Sequence, residues 1–326
     1  MNKKGELINV VGDNNIFDDL ETLSAYSLDQ SFAPPMMPQL VIRPKNVDEI
    51  QRIISWANES RTPIVPISSG APRFHGDSVP SVEGAVILDL SEMKKIIRIN
   101  RRERIAMFEP GGVFGELQKE LAKEGMRISM PLMPRSNKSV AASLLEREPV
   151  LIPRYNWSLL DPLRCVEVIW GNGQKLWTGD AGMRGPLERQ WQLGMAQSMP
   201  MGPLAVDYHR LVSAAQGTLG VVTWATAKCE ILPQIRKAFI VPSEGLDKLL
   251  DVVYKLLWLK YGDEILLLNC SNLACILKEE TDQITALREE IPNWVLILGL
   301  AGRDFLPKER IEYQQIEINN IVHKLT

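Results

Sequence analysis

The segment that most constrains the fold is TPIVPISSGAPRFHG, residues 62–76, where a short apolar run ends at a Ser-Ser-Gly turn. The run Pro63–Ile67 is typical of a buried strand. Ser68, Ser69 and Gly70 follow it with small side chains and backbone N–H groups, which are donors that bind phosphate. The segment predicts a strand leading into a phosphate-binding loop. For the motif by itself, an ordinary strand-to-loop turn is the alternative.

Strand and helix patterns alternate around this loop. Residues 46–57 (NVDEIQRIISWA) predict a helix, because Asn46 is a favourable N-cap and apolar residues recur on one face. Residues 110–112 (PGG) end a series of strand patterns and precede a predicted helix at residues 113–124. Strands are predicted at residues 39–44, 85–90, 96–100 and 105–109. This order predicts an α+β fold with an antiparallel component.

Six blocks in this order resemble the FAD-binding domain of the vanillyl-alcohol oxidase and p-cresol methylhydroxylase (PCMH) type. That domain is shared by glycolate-oxidase and D-lactate-dehydrogenase flavoproteins. The blocks are VIRPKNVDEIQRIISWA, PIVPISSGAPRFHG, AVILDLSEMKKI, RIAMFEPGGVFGELQKEL, CVEVIWGNGQKLWTG and LVSAAQGTLGVVTWATAKCEILP. Six blocks in the family's order are more specific than one glycine motif. The resemblance implies two α+β subdomains with FAD extended between them.

The resemblance also implies where FAD is bound. Its diphosphate would lie on residues 67–72, and residues 216–222 (QGTLGVV) would pass the adenine end and the flavin. The PIS-x-G sequence, followed by an aromatic residue and a glycine, is closer to the alkylphenol branch than to the hydroxy-acid branch. The implied cofactor-binding residues are Ile67, Ser68, Ser69, Gly70, Ala71, Pro72, His75, Gly76, Pro131, Ser139, Ala142, Gly217, Gly220 and Val221.

One block departs from the family pattern. Where family members carry a Thr-Ile-Gly-Gly run beside the flavin, this chain has SVAAS at residues 139–143. Ala141 and Ala142 add two methyl groups, and residues other than glycine tolerate positive φ poorly. We therefore expect the flavin ring to sit differently or to bind more weakly at this block.

The sequence pattern changes near Pro233 to the order βαβαβα. By the resemblance, this part is the cap, or substrate, domain. We expect an N-terminal segment at residues 1–34, an FAD-binding domain at residues 35–235 and a shortened, partial α/β cap domain at residues 236–326. The predicted strands and helices of the cap are at residues 237–241, 245–259, 264–270, 281–290, 294–300 and 307–325.

The family's cap domain extends further than residues 236–326 and carries most of the substrate-binding residues. We expect the shortened cap to leave a strand edge or an apolar helix face uncovered, and a homo-oligomer or a second subunit to complete it. The residues expected on that face are Ile311, Ile316, Ile318 and Ile321.

Composition agrees with a multi-part enzyme that acts on a small molecule. The chain has 326 residues, of which 45% are hydrophobic and 24% charged, enough for two or more cores. A formal charge of −3 predicts no nucleic-acid partner. The sequence lacks a signal-peptide pattern and an apolar run of membrane-spanning length, so we expect a cytoplasmic location and no transmembrane segment. Its four cysteines form no C-x-x-C pair and predict reduced thiols rather than a metal site.

No catalytic base can be assigned by motif. His209 is either a surface-loop residue or a pocket residue able to accept a proton. Arg154 and Tyr155 follow the altered block; Arg154 would steady an anionic flavin or a carboxylate substrate, or else lie on the surface. A covalent bond between His75 and the flavin is a further alternative.

These expectations favour an FAD-dependent oxidoreductase subunit that oxidises a 2-hydroxy acid, an alcohol or a para-alkylphenol by hydride transfer to flavin. The first alternative is a non-catalytic or electron-relay subunit of a larger flavoprotein complex. The second is a reductase of the UDP-N-acetylenolpyruvoylglucosamine type, against which the QGTLGVVT block and the βαβαβα pattern argue.

Overall fold

The computed structural model of the chain describes residues 3–76, 78–156, 160–183, 185–202 and 206–325. It forms two compact units: Met1–Pro149 with Asp161–Glu230, and Val150–Leu160 with Ile231–Thr326. The first unit therefore includes the predicted N-terminal segment, and the second includes a short stretch that precedes the predicted cap. The division into cofactor and cap domains by function stays a prediction.

The first sheet belongs to the first unit. Its elements are α1 (Lys3–Val11), β1 (Ile16–Phe17), α2 (Leu20–Ala25), β2 (Leu40–Ile42), α3 (Val47–Ser60), β3 (Ile64–Ile67) and β4 (Val86–Asp89). The strand order is β1-β2-β4-β3, with β1 antiparallel to β2 and both β2 and β3 parallel to β4. Because β3 is parallel to β4, its carboxyl end opens into a loop rather than a hairpin.

The capped helix α3 fixes the first sheet's core. The Asn46 side chain accepts a hydrogen bond from the Glu49 backbone N–H at 2.9 Å, as the sequence predicts for an N-cap. The helix ends at Arg61, which has the left-handed φ of 51°. Its buried face, including Ile50 and Ile53, packs on the sheet together with α1.

The second sheet completes the first unit. Its elements are β5 (Ile96–Asn100), β6 (Ile105–Phe108), α4 (Phe114–Lys123), β7 (Met126–Ile128), α5 (Val140–Leu145), β8 (Leu163–Trp170), β9 (Lys175–Trp177), α6 (Leu187–Gln192), α7 (His209–Val212) and β10 (Gly220–Ile231). The strand order is β5-β6-β10-β8-β9, all antiparallel, and β7 also pairs with β10. The predicted hairpin turn at residues 171–173 joins β8 to β9. Helices α4 and α5 cover one face of this sheet and close its core.

The second unit is a small antiparallel sheet covered by helices. Its elements after residue 231 are β11 (Ile235–Ser243), α8 (Leu246–Leu259), β12 (Glu264–Asn269), α9 (Cys270–Leu277), α10 (Thr281–Glu290), β13 (Trp294–Gly302) and α11 (Pro307–Leu325). Strand β13 lies in the centre, antiparallel to both β11 and β12. The predicted alternation of strands and helices is present. The sequence did not predict α9, which Asn269 caps by accepting a hydrogen bond from the Asn272 backbone N–H at 2.8 Å.

The expectation that one face of α11 is uncovered is wrong for most of its residues. Ile311, Ile318 and Ile321 are buried against the sheet and α8, and Ile316 alone of the four expected residues is exposed, at 60%. The three buried residues repeat at helical spacing, so the same pattern that suggested a free face describes a face that packs on the sheet of its own unit.

None of the helices in the described ranges is long and apolar enough to cross a lipid bilayer.

The turn at residues 110–112 holds the second sheet against the first. The Gly111 backbone N–H donates to the Met93 carbonyl at 2.7 Å, and the Val140 N–H donates to the Gly112 carbonyl at 2.9 Å. A Cβ at Gly111 would lie 2.5 Å from the Ser91 carbonyl oxygen and 2.7 Å from that of Leu90. These contacts are with backbone atoms, which cannot rotate away, so the position requires glycine.

We therefore predict that Gly111→Ala lowers the free energy of unfolding by about 1–3 kcal/mol or more, because the added methyl group forces the backbone apart. Gly171→Ala is the control, since its Cβ would meet only the Leu219 carbonyl, at 3.9 Å. Urea unfolding of the two variants measures the difference. Equal midpoints for Gly111→Ala and the parent chain would contradict the close packing of this turn.

Candidate functional site

The first unit contains a cleft of about 870 Å³, a volume that includes space open to solvent at its mouth. Its walls come from the loop after β3, from the segment that leads into α5, and from the chain between α7 and β10. The residues lining it are Pro66, Ile67, Ser68, Ser69, Arg73, Phe74, His75, Ser78, Leu90, Pro110, Arg135, Lys138, Ala141, Ala142, Leu145, Glu146, Val212, Ala214, Gln216, Gly217 and Val222.

The first wall is the loop predicted to bind phosphate. It continues β3 as far as the Ile67 carbonyl, which accepts a hydrogen bond from the Leu90 N–H at 2.7 Å. Beyond that bond, the backbone N–H groups of Ser68 and Ser69 have no hydrogen-bond acceptor among the described residues. Both residues line the cleft. Two adjacent unpaired donors at a cleft wall are suited to an anionic ligand.

The segment leading into α5 is bonded to this loop along its length. The Ser139 N–H donates to Ser69 Oγ at 3.2 Å, and the Gly70 N–H donates to the Asn137 carbonyl at 3.2 Å. The Asn137 side-chain amide donates to the Ala71 carbonyl at 2.6 Å. These bonds fix the spacing of the first two walls.

The altered block forms the start of α5. Ser139 caps this helix, because its Oγ accepts a hydrogen bond from the Ala142 N–H at 3.0 Å. Ala141 and Ala142 are in the helix and have no positive φ. The expectation of backbone strain at the two alanines is therefore wrong. Both methyl groups do line the cleft, and their effect on cofactor affinity stays a prediction.

The third wall is made largely of backbone. Ala214, Gln216 and Gly217 have left-handed φ values of 58°, 51° and 74°. A Cβ at Gly217 would lie 2.5 Å from Cγ of Pro66, so the chain here approaches β3 too closely for a side chain. The Ala214 N–H donates to the Leu145 carbonyl at 2.7 Å, which ties this wall to α5.

A charged cluster lies at the edge of the cleft. Lys138 is almost fully buried, and its Nζ lies 2.5 Å from a Glu146 carboxylate oxygen and 3.5 Å from one of Glu148. His75 Nε2 lies 3.1 Å from a Glu148 oxygen and 3.5 Å from one of Glu146. The ligand atoms of the histidine and the two glutamates are all within 4.8 Å of one another. The Lys138 ammonium is paired with both carboxylates, so the cluster is an ion-pair network in which a metal cation would compete with the lysine.

The network sets the charge of Glu148. Burial by itself raises the pKa of Glu148, but the hydrogen bond from Ser143 and the charges of Lys138 and His75 outweigh it. The pKa of this carboxyl therefore lies below its ordinary value of 4.5.

Two arginines also line the cleft, and each lies over an aromatic ring. The Arg73 guanidinium is 4.4 Å from the ring centre of Tyr26, and its Nη2 donates to the Ala25 carbonyl at 2.7 Å. The Arg135 guanidinium is 4.6 Å from the ring centre of Phe74. A cation over the face of an aromatic ring is attracted by the negative charge of that face, so each ring helps to hold its guanidinium at the cleft.

The structure brings some of the predicted cofactor-binding residues together and places others behind the cleft. Six line it: Ile67, Ser68, Ser69, His75, Ala142 and Gly217. Others support its walls, such as Gly70 beside Asn137, and Gly76, whose N–H donates to an Asp29 carboxylate oxygen at 2.7 Å. The rest are not among the lining residues: Ala71, Pro72, Pro131, Ser139, Gly220 and Val221.

The charged lining residues were missed by the sequence analysis. A search for glycines and small residues does not find the charged and aromatic side chains of the lining. These are Arg73, Phe74, Arg135, Lys138 and Glu146. One signal was present, since Phe74 lies inside the very loop that the motif identified.

The candidate catalytic residues lie apart from the cleft lining. His209 is fully buried and pairs with Asp161, with 3.2 Å between its Nε2 and a carboxylate oxygen. Its other ring nitrogen has no hydrogen-bond partner among the described residues. Arg154 and Tyr155 belong to the second unit, where the guanidinium lies 5.6 Å from the tyrosine ring centre. Their catalytic roles stay predictions.

We predict a pH effect from Glu148. Because its pKa is lowered in the folded state, its stabilising contribution is present above 4.5 and is lost as the pH falls through the folded-state pKa. Lys138, His75, Glu146 and Ser143 face this carboxyl. Glu148→Gln should therefore lower the free energy of unfolding at neutral pH. The difference in this free energy between the variant and the parent should shrink in acid.

Urea unfolding at several pH values measures this difference. The control is Glu120→Gln, at an exposed carboxyl on α4 that pairs with Lys123. A difference between Glu148→Gln and the parent that stays constant from neutral to acid pH would contradict the ion-pair network.

Comparisons with known proteins agree with the geometry of the cleft. Residues 38–145 match the family of FAD binding domains. The chain is 29% identical over 246 residues to glycolate oxidase subunit GlcD of Bacillus subtilis. This alignment covers 75% of this chain and 48% of that protein. It is 24% identical over 252 residues to D-2-hydroxyglutarate dehydrogenase of Stutzerimonas stutzeri, covering 76% of this chain and 50% of that protein.

The fold is also similar to a solved structure. The crystal structure of p-cresol methylhydroxylase with substrate bound aligns with a TM-score of 0.81 at 20% identity, covering 99% of this chain and 64% of that one. The chain thus spans about half the length of the two relatives. It contains an FAD-binding domain, with FAD as its cofactor, and has the fold of the p-cresol methylhydroxylase type of flavoprotein.

Proposed function

We propose that the chain is an FAD-dependent oxidoreductase subunit that oxidises a 2-hydroxy acid, an alcohol or a para-alkylphenol. The observation that carries this proposal is that the N–H groups of Ser68 and Ser69, which have no acceptor among the described residues, lie at the wall of a cleft in the first unit, beside the matched FAD-binding segment. The names of the two relatives support a hydroxy acid, and the PIS-x-G sequence supports an alkylphenol.

The residues of the cleft fit the cofactor. Backbone donors that are unpaired among the described residues suit a diphosphate. Gly217 supports the cleft from the side, because its lack of a Cβ lets the third wall pack directly on Pro66. Apolar side chains on the same lining, including Leu145, Val212 and Val222, suit the flat face of a flavin ring.

Each wall then has a task in the reaction. When bound, FAD supplies an acceptor for a hydride from the substrate carbon. Ser68 and Ser69 would bind the diphosphate through their N–H groups, and the apolar lining would exclude water from the reacting carbon. His75 lines the cleft, and its Nε2 lies 3.1 Å from a carboxylate oxygen of Glu148, which holds the ring in place.

A spectrum of the purified protein tests this function. The proposal requires flavin absorbance that bleaches anaerobically on addition of glycolate, D-lactate or a 4-alkylphenol. Bound flavin that none of these reduces would favour the electron-relay subunit instead. Absence of flavin binding in the purified and FAD-supplemented chain would overturn both proposals.

We predict that Gly70→Val weakens FAD binding roughly tenfold or more, because it displaces the loop that carries the N–H groups of Ser68 and Ser69 and so weakens their contacts to a charged group. A Cβ at this position would lie 3.1 Å from Nδ2 of Asn137, so the loop or the Asn137 side chain must shift. Gly171→Val, outside the cleft, is the control. Titration of flavin fluorescence gives both affinities. Unchanged FAD affinity in a folded Gly70→Val variant would refute the role of this loop.

We also propose that the chain assembles as a homo-oligomer or with a second subunit. Support comes from α8, where Tyr254, Leu257 and Trp258 share one face and are 70%, 43% and 84% exposed. The relative GlcD is itself named as a subunit.

Light scattering tests the homo-oligomer. We expect a mass above the 36.7 kDa of one chain, and a lower mass for Trp258→Ser. Phe305→Ser, at a residue 83% exposed outside this face, is the control. A parent chain that stays monomeric at all concentrations, alone and in extracts of its source, would contradict assembly.

A further inference from the structure

Arg135 stands out among the residues of the cleft because its charge has no partner. It lines the cleft and lies over the Phe74 ring, with 4.6 Å from the guanidinium carbon to the ring centre. Its Nη1 is buried and makes no hydrogen bond. Within the described ranges, no carboxylate forms an ion pair with this guanidinium, and no acceptor bonds to it.

The nearest acids are already engaged. Glu146 and Glu148 attract Arg135 electrostatically, but both carboxylates are bound to Lys138 and His75. Glu148 also accepts a hydrogen bond from Ser143. Desolvation and the nearby charge of Arg73 lower the pKa of Arg135, and the attraction of Glu148 and Glu146 offsets this only in part. A desolvated cation with unused donors is unfavourable until an anion binds to it.

The position of Arg135 relative to the phosphate-binding loop follows from the bonds between the first two walls. Hydrogen bonds join Ser139 to Ser69, and Asn137 to Gly70 and Ala71. Two residues before Asn137, the Arg135 guanidinium lies over the Phe74 ring. The two segments therefore run side by side, and Arg135 adds a cation to the cleft wall that carries the free N–H groups of Ser68 and Ser69.

We propose that Arg135 binds the diphosphate of FAD, alongside the N–H groups of Ser68 and Ser69. This inference rests on the proposed binding of FAD in the cleft. The guanidinium lies over the Phe74 ring, and its fork of N–H donors matches two oxygens of a phosphate group. Arg135 is thus a cofactor-binding residue that the small-residue motif does not include.

The test compares flavins that differ in their phosphate groups. FAD and riboflavin, which has no phosphate, are titrated into apoprotein and followed by flavin fluorescence. Arg135→Gln should bind FAD roughly 10- to 100-fold more weakly, the effect of losing a charged hydrogen bond, with riboflavin affinity unchanged. Arg135→Lys, which keeps the charge but not the fork, should fall between. Arg102→Gln, at a side chain 94% exposed, should match the parent.

Three results would overturn the proposal. Equal FAD affinity in Arg135→Gln and the parent would show that no phosphate contact exists, and lost reduction by glycolate or D-lactate in that variant would then assign Arg135 to a substrate carboxylate. Equal losses for FAD and riboflavin would show a general disturbance of the cleft. If Arg135→Gln does not fold by circular dichroism, Arg135→Lys decides, and FAD affinity equal to the parent's overturns the contact.

Failure of the underlying function looks different. A parent chain that binds neither flavin overturns the proposed function itself, whereas a parent that binds FAD while Arg135→Gln binds it equally well overturns only the role of Arg135.

Discussion

The cleft depends on the hydrogen bonds between the loop after β3 and the segment leading into α5. Gly70, Ala71 and Ser69 each bond to Asn137 or Ser139, so two segments far apart in the sequence are held at one spacing. Because those bonds use the donors and acceptors that face the neighbouring segment, the N–H groups of Ser68 and Ser69 are left for a ligand. Some polar groups of this loop therefore stabilise the first unit, and others remain available to bind a ligand.

Much of the fold of the first unit could be predicted from the sequence because its signals are local. The Asn46 cap and the apolar spacing of α3 are both recognisable from residues within a few positions of one another. In the second unit the alternation of strands and helices was also visible. Strand direction was not, since alternation by itself does not decide whether β11, β12 and β13 pair parallel or antiparallel. The apolar side of α11 likewise could not be assigned to a partner until the sheet was known.

The candidate site was less predictable because its chemistry depends on contacts between distant residues. Lys138 and His75 are 63 positions apart, and nothing near either one indicates that Glu146 and Glu148 lie between them. The same holds for Arg135, whose ring partner is in another loop. At the two alanines the reasoning about the backbone was wrong for a different reason. A family pattern suggested glycine-like strain there, but the backbone is an ordinary capped helix in which alanine is favourable.

The third wall has a thermodynamic consequence. At Gly217 the backbone rests on the ring of Pro66, and neither partner has a rotatable side chain to rearrange. A surface of this kind has the same shape before and after binding, so it contributes preorganisation: little conformational entropy is lost there when a ligand is bound. The loop that carries His75 and the segment that carries Arg135 differ, because their flexible side chains must be ordered on binding. Affinity gained through rigidity and affinity gained through charge therefore come from different segments of one cleft.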